Sequence, residues 1–253
     1  MSIDATLILQ ATVIGLLGAL GILDGRILGQ SMFERPIVMG PLVGLVMGDF
    51  VMGIIVGATL ELVWMGIVGV GSATPPDTVT GGILGTAYAI MTGEGPEVAL
   101  ALAIPIALLA QSLGMLVRTI NAPLIHKADR YAQSGNFKKV ASLHWLGVFF
   151  FFLNGFIPSF LGILVGSEVV NVIIEWIPAV VTDGLGAAAA MFPALGFALL
   201  MQMTFSKKLA PFFFLGFVLA VFLGLDIIPV AIIGAIIATV MYQLQQSNEG
   251  AAT

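Results

Sequence analysis

The chain has 253 residues, of which 59% are hydrophobic and 9% are charged, and its mean hydropathy is +1.10. Soluble domains carry about a quarter of their residues as Asp, Glu, Lys or Arg, so these values exclude a soluble fold. One crossing of a hydrocarbon core of ~30 Å needs about 20 helical residues, so the length allows about seven to nine crossings. We therefore predict an all-α polytopic membrane protein.

Charge and residue usage exclude several functions. The 14 acids and 9 bases give a net charge of −5, which provides no basic face for nucleic acid. The absence of cysteine excludes disulfides, thiolate catalysis and cysteine metal sites. The two histidines, His126 and His144, are predicted outside the membrane interior, so neither can form an intramembrane Ser–His pair. We expect no metal, no cofactor and no catalytic site.

Charge-free runs locate the membrane spans. Six such runs predict membrane helices, at 5–23, 98–117, 140–167, 184–206, 209–225 and 227–248. We predict one integral membrane domain over residues 1–246, followed by a polar tail over 247–253.

The stretch 24–35 is mixed in charge and too polar to cross a membrane. Its default interpretation is an interfacial connector between the first span and Pro36. Asp24 and Gln30 are its candidates for contact with a polar substrate.

Residues 36–120 form the predicted core region, with broken helices. The pair Pro75-Pro76 cannot lie within a regular helix, and freed backbone groups cannot face lipid. We therefore interpret 36–92 as helices with a broken or re-entrant hairpin. Glycines recur every fourth residue from Gly40 to Gly48 and from Gly53 to Gly57, and the simplest interpretation of this spacing is close helix packing.

The segment 121–139 is the longest polar stretch and is predicted to be a loop. Five of the nine bases lie between residues 118 and 139, which assigns this segment to the cytoplasm. A docking face for a soluble partner is expected there, with four candidate contacts: His126, Lys127, Arg130 and Lys138.

A weak internal similarity relates 36–59 to 211–239. Each begins with proline, continues through an apolar stretch to glycine and aspartate, and ends in a glycine-containing segment closed by threonine. A true repeat would be typical of secondary transporters.

Two carboxylates, Asp49 and Glu61, interrupt apolar segments. A carboxylate in mid-membrane costs about 3 kcal/mol, so it is normally kept for a partner, a ligand or a polar cavity. Glu61 has Thr59 and Trp64 nearby, a combination suited to sugar hydroxyls and to stacking on a sugar ring. The alternative for Glu61 is an ion pair with Arg26 or Arg35. For Asp49, after Gly48, a structural role is favoured.

Asp77 follows the proline pair and has two interpretations of equal weight. Its position predicts an N-cap for the next helix. A helix amino terminus within a membrane protein also offers backbone donors to a polar ligand.

The motifs, taken in order, resemble the IIC membrane subunit of the mannose/sorbose family of bacterial sugar phosphotransferase systems. The resemblance extends from about Ile3 to about Leu244. The segments that carry it include Glu34-Arg35-Pro36, Gly40 to Asp49, Gly57 to Gly66, Pro75-Pro76-Asp77, Asp183 to Gly186, Met191 to Phe197 and Pro211 to Phe217.

The resemblance implies a subunit that binds and moves a sugar, possesses no phosphorylation site, and works with a IID membrane subunit and soluble IIA and IIB proteins. It also implies elevator-type movement of a core against a scaffold, in an oligomer of IIC–IID pairs in the bacterial inner membrane. By position it assigns sugar contacts to Glu61, Thr59, Trp64 and the break from Ser72 to Asp77. The form of the Glu61 and Asp77 motifs is closer to the N-acetylgalactosamine, galactosamine and sorbose branch, so an amino sugar is the preferred substrate.

Two other functions stay open at this point. One is a structural or receptor subunit whose charges only hold a membrane partner. The other is an ion-coupled transporter that acts alone.

Overall fold

The structure is a computed structural model that describes residues 4–67, 75–176, 194, 197–202 and 205–250. Every element longer than one turn in these residues is a helix. The helices are α1 (Ala5–Leu23), which continues as a π-helical turn (Asp24–Leu28), α2 (Pro36–Met47), α3 (Phe50–Trp64), α4 (Thr78–Thr92), α5 (Pro96–Gln133), α6 (Phe137–Trp176), α7 (Ala210–Val221) and α8 (Ile227–Gly250).

Among the described residues, four helices are long and apolar enough to cross a membrane, which confirms the predicted fold class. They are the segments Ala5–Leu28, Pro96–Gln133, Phe137–Gly166 and Ile227–Leu244. They overlap four of the six predicted spans, 5–23, 98–117, 140–167 and 227–248. The predicted span 209–225 is the shorter helix α7, and most of 184–206 lies outside the described residues.

Helices α5 and α6 correct the prediction of a loop over 121–139. They contain 38 and 40 residues, so each is about 57–60 Å long and exceeds the hydrocarbon thickness about twofold. The polar residues after 120 do not end α5, because Lys, Arg, Gln, Ala and Leu are all good helix formers. The helix ends only at Ser134 and Gly135, where Gly135 has a φ of 69°. The polar segment is therefore a helical hairpin with a turn of three residues.

Helices α2 and α3 form a short hairpin with well-defined ends. Pro36 occupies the first turn of α2, where its missing N–H costs nothing. Gly48 ends α2 with a φ of 91°, and the Asp49 carboxylate caps α3 by accepting a hydrogen bond of 2.9 Å from the backbone N–H of Met52. With 12 and 15 residues, the two helices are only about 18 and 22 Å long. Each helix is too short for an upright crossing, and the re-entrant hairpin with its break at 72–77 stays a prediction.

Glycines join the two helices of this hairpin through direct backbone contact. A Cβ atom on Gly40 would lie 2.6 Å from both the carbonyl oxygen of Gly53 and the Cα atom of Gly57. A Cβ atom on Gly44 would lie 2.6 Å from the carbonyl oxygen of Asp49. The interpretation of the glycine spacing as close packing is confirmed.

Helix α4 packs on both α5 and the end of α3. A Cβ atom on Gly81 would lie 2.6 Å from the carbonyl oxygen of Ala103 and 3.1 Å from the Trp64 ring. A Cβ atom on Gly85 would meet Ala103 and the backbone of Ala99 at 2.8 and 2.9 Å. Small residues on both helices thus bring α4 and α5 close together.

The chain divides into two compact units, Met1–Leu200 and Met201–Thr253. The first contains α1 to α6, and α1 packs along α6 while α2 and α6 both contact α4. The second contains α7 and α8, which pack on each other.

Both segments of the suggested repeat fold as two helices joined by a turn. In each turn a glycine with positive φ, Gly48 or Gly224, precedes an aspartate at the start of the next helix. The repeat itself stays a prediction.

The glycine contacts generate the first prediction. Replacing Gly53 by Ala is expected to destabilise the protein by about 1–3 kcal/mol, because the added methyl group would overlap backbone atoms of Gly40 and Gly44 that cannot move aside. Thermal unfolding of the protein in detergent measures the effect. Gly216→Ala in α7 is the control, because no atom lies within 4 Å of its Cβ position. Equal changes in Tm for the two variants would contradict the packing described.

Candidate functional site

Asp24 is a fully buried carboxylate at the point where α1 becomes a π-helical turn. Its side chain has 0% exposure. Oδ1 accepts hydrogen bonds from the Ser31 hydroxyl and, at 3.3 Å, from the Ser31 backbone N–H. Oδ2 is buried and has no hydrogen-bond partner. Buried polar atoms are nearly always hydrogen-bonded, so a buried carboxylate oxygen without a donor indicates a place for one.

The backbone after Asp24 is held in an unusual conformation. The φ values of Gly29, Gln30 and Met32 are 80°, 60° and 64°. Non-glycine residues in this left-handed region cost about 1–3 kcal/mol each, and such strain clusters at ligand sites. Single π-helical turns are also frequent at functional sites. The predicted connector is exposed from residue 25 to residue 32, yet it begins with a residue that solvent does not reach.

Three more polar side chains lie in or beside the π-helical turn, those of Arg26, Gln30 and Glu34. A Cβ atom on Gly25 would lie 3.9 Å from both Gln30 Nε2 and Glu34 Oε2, so these two side chains converge there. Burial raises the pKa of the Glu34 carboxyl above its ordinary value, and the nearby Asp24 carboxylate raises this pKa further. Arg26 lies within electrostatic range of Glu34 and Asp77. We call the group Asp24, Arg26, Gln30, Ser31, Glu34 and Asp77 the connector site.

Asp77 caps the first turn of α4. Its Oδ1 accepts hydrogen bonds of 3.1 Å from the backbone N–H groups of Val79 and Thr80, and its Oδ2 accepts one of 3.0 Å from the Thr80 hydroxyl. The Asp77 N–H donates to the carbonyl of Ala107 on α5 at 3.0 Å. The N-cap interpretation of Asp77 is confirmed, and ligand contact stays a prediction.

Glu61 forms an ion pair with Arg35. Both Nε and Nη2 of Arg35 donate to Glu61 Oε1, at 2.9 and 2.6 Å, and the backbone N–H of Ile37 donates to Oε2 at 3.4 Å. The side chains of Arg35 and Glu61 are only 16% and 15% exposed. The structure therefore shows the ion pair that was one of the two alternatives for Glu61. The pair joins the end of α3 to the start of α2. The ion pair leaves acceptor capacity at Oε2, so a sugar contact by Glu61 stays a prediction.

Thr59 and Trp64, two other predicted sugar contacts, are already engaged within the protein. The Thr59 hydroxyl donates to the Ile55 carbonyl within α3, at 2.9 Å. Trp64 is 1% exposed and packs against Gly81 and Gly82, so the prediction that a sugar stacks on its ring disagrees with this packing. Ser72 lies outside the described residues.

The four predicted docking residues are exposed near the turn between α5 and α6. They are His126, Lys127, Arg130 and Lys138. They project from helices rather than from a loop, so the turn presents them on a rigid support. Within the described residues, no three His, Asp or Glu side chains are grouped as a metal site.

Sequence reasoning included Asp24 and Gln30 but missed Arg26, Ser31 and Glu34 as members of one site. All three lie in the connector 24–35. The mixed charge of this connector, next to a membrane span, was the signal that could have indicated a site. The π-helical turn that brings them together has no sequence signature.

Comparisons with known proteins agree with this architecture. A profile of the family described as "PTS system sorbose-specific iic component" matches residues 8–240. The mannose-specific EIIC component of the Escherichia coli K12 phosphotransferase system is 36% identical over 221 residues, which is 87% of this chain and 83% of that protein. A putative N-acetylgalactosamine permease IIC component 2 of the same organism is 47% identical over 104 residues, or 41% of this chain and 77% of that protein.

A cryo-EM structure of the mannose transporter ManYZ in complex with microcin E492 contains a similar chain. The TM-score is 0.60 at 34% identity, with 96% of this chain and 97% of that chain covered. The profile match and the relative that is 36% identical both point to the family that the motifs resemble. The chain therefore belongs to the mannose/sorbose family of phosphotransferase IIC components, the sugar-specific membrane permease subunits of these systems.

Proposed function

We propose that the connector site is where this permease subunit binds its sugar. The observation that carries the proposal is the buried Oδ2 of Asp24, an acceptor without a donor beside the strained Gln30. A sugar hydroxyl donates a hydrogen bond of the kind that this oxygen lacks. Such charge-assisted bonds are roughly twice as strong as neutral ones.

The rest of the site supplies complementary groups. The amide of Gln30 both donates and accepts, while the carboxyl of Glu34 accepts when ionised and donates when protonated. The Asp77 carboxylate has unused acceptor capacity at Oδ2, which receives only the Thr80 bond. A bound sugar would give Asp24 Oδ2 the hydrogen-bond donor that it lacks. The contacts of the sugar would also offset the backbone strain in the connector.

An amino sugar is the substrate class we favour. The connector site contains three carboxyl groups, of Asp24, Glu34 and Asp77, and one guanidinium, of Arg26. This excess of acceptors suits a sugar with an amine or amide donor beside its hydroxyls. The similarity to a putative N-acetylgalactosamine permease over 104 residues supports the same class.

The phosphoryl chemistry belongs to soluble partners in this proposal. IIA and IIB proteins would carry the phosphoryl group to the sugar, and a IID subunit would complete the membrane complex. Both histidines of the chain, His126 and His144, lie in the α5–α6 hairpin. The elevator movement and the arrangement in several IIC–IID pairs stay predictions.

The end of the α5–α6 hairpin is the docking face we propose for the IIB protein. Its exposed bases include Lys127 and Arg130, and such rim charges chiefly steer association and set its salt dependence.

Three Asp→Asn variants test the sugar site. Asp24→Asn keeps an acceptor for Ser31 but removes the charge, and we expect sugar affinity to fall about 10–100-fold. Asp77→Asn keeps the cap of α4, because Asn caps as well as Asp, and we expect a fall of about tenfold if Oδ2 contacts the sugar. The measurement is phosphoenolpyruvate-dependent uptake by cells that carry all subunits, with sugar binding to the purified complex.

Asp49→Asn is the matched control, because the hydrogen bond described for the Asp49 carboxylate is the N-cap of α3, and Asn preserves that cap. Normal uptake by Asp24→Asn would contradict the sugar site, and normal uptake by Asp77→Asn would assign Asp77 to capping alone. Uptake that a protonophore abolishes and that does not need phosphoenolpyruvate would favour the ion-coupled transporter.

A charge exchange tests the role of Glu61. Arg35→Glu and Glu61→Arg are each expected to lower Tm, because each leaves a half-buried charge beside a like charge. The double variant is expected to recover stability, with a coupling energy of about 0.5–3 kcal/mol. Additive losses of Tm in the double variant would show that the pair does not join α2 to α3.

Charge reversal tests the docking face. Lys127→Glu with Arg130→Glu is expected to weaken IIB binding about tenfold at low salt, with a smaller effect at high salt. Surface plasmon resonance with the purified membrane complex measures it. Lys207→Glu with Lys208→Glu makes the same change of charge elsewhere, and equal weakening by the two pairs would contradict a specific face.

A further inference from the structure

A groove between α5 and α6 has Arg26 in common with the connector site, and the rest of its lining is different. Its volume is about 350 Å³, within the range of roughly 300–1,000 Å³ typical of ligand pockets. It follows α5 from Asn121 to Ala128 and α6 from Val140 to Phe151. Most of the lining is aliphatic, and its polar side chains are those of Arg26, Asn121 and His144. An occupant therefore needs a large apolar part and a small polar part.

The hairpin that forms the groove is rich in bases, and Arg26 has Arg118 as well as the acids Glu34 and Asp77 within electrostatic range. The Arg26 guanidinium lies 4.1 Å from the centroid of the Phe151 ring and donates to the Ile22 carbonyl, so it is held at one end of the groove. Five bases and one acid, Asp129, lie between residues 118 and 139. A basic pocket between membrane helices is complementary to an anionic lipid headgroup.

The position of the groove along the helices agrees with a lipid headgroup. Trp145 is 63% exposed, and its ring lies beside that of His144, with centroids 6.1 Å apart. Exposed tryptophan is enriched at the membrane–water boundary. Arg26 is near the end of the candidate span Ala5–Leu28, and Asn121 follows the charge-free run 98–117 by one turn. Both indicate the same boundary.

Asn121 provides a second polar contact. Its Nδ2 donates to the Gly147 carbonyl on α6 at 3.5 Å, while its Oδ1 is buried without a hydrogen-bond partner. This acceptor matches a hydroxyl donor, such as one on a glycerol headgroup.

We propose that this groove binds one anionic phospholipid. An acyl chain occupies the aliphatic groove, the phosphate lies at Arg26 and His144, and the headgroup hydroxyl donates to Asn121 Oδ1. The lipid thereby fastens the α5–α6 hairpin to the π-helical turn, through Arg26.

Native mass spectrometry of the full chain in detergent tests this proposal, with dioleoyl phosphatidylglycerol and dioleoyl phosphatidylcholine as the probes. The first phosphatidylglycerol is expected to bind at least about fivefold more tightly than phosphatidylcholine, and Arg26→Gln is expected to remove about fivefold of that preference. Ala128→Leu fills the groove without changing charge and is expected to weaken phosphatidylglycerol binding by about fivefold or more.

Lys207→Gln removes the same charge from the second unit and is expected to leave the preference unchanged. Equal binding of the two lipids by the unaltered chain would overturn the proposal. Equal losses in Arg26→Gln and Lys207→Gln would also overturn it, because the attraction would then be diffuse. If Ala128→Leu weakened IIB binding and left lipid binding intact, the groove would be a protein surface instead.

Discussion

A carboxylate in an apolar protein must be paired, hydrogen-bonded or used, and this constraint organises the first ninety residues. Asp49 uses its charge to start α3, and Asp77 uses its charge to start α4. Glu61 joins the end of α3 to Arg35 at the start of α2. Asp24 is the exception among these four, because one oxygen of its buried carboxylate has no donor. Three carboxylates therefore build the support, and the fourth keeps the buried, unpaired oxygen to which we assign the sugar.

Backbone contact through glycine makes this support compact. Because Gly40, Gly44 and Gly53 have no side chains, α2 and α3 approach until their backbones touch. Helices this short have little surface to bury, and close contact gives them more dispersion energy per residue. The hairpin is held both by this contact and by the Arg35–Glu61 pair, so its ends are fixed. The connector that precedes it is then strained between two rigid helices, α1 and α2.

Much of the fold could be predicted from the sequence, because the bilayer sets the composition of the chain and the length of its charge-free runs. The membrane fold, four of the spans, the glycine packing, the structural role of Asp49 and the cap at Asp77 depend on local residues. The length of α5 was missed because a segment outside lipid can be polar and helical at the same time, so the polar residues after 120 did not mark the end of the helix. The choice between ion pair and ligand at Glu61 needed the position of Arg35, which is 26 residues away in the chain. The burial of Trp64 depends on Gly81 and Gly82 of another helix, and no local pattern carries that information.

The central claim is that the unpaired oxygen of Asp24 accepts a hydrogen bond from the sugar. A cryo-EM structure of the complete membrane complex with bound sugar tests it most directly. The account predicts a sugar hydroxyl about 2.5–3.0 Å from Asp24 Oδ2, with Gln30 and Glu34 beside the ring. Sugar density at Glu61 with the Arg35 pair broken, or density remote from the connector with Asp24 Oδ2 still buried and unpaired, would contradict it.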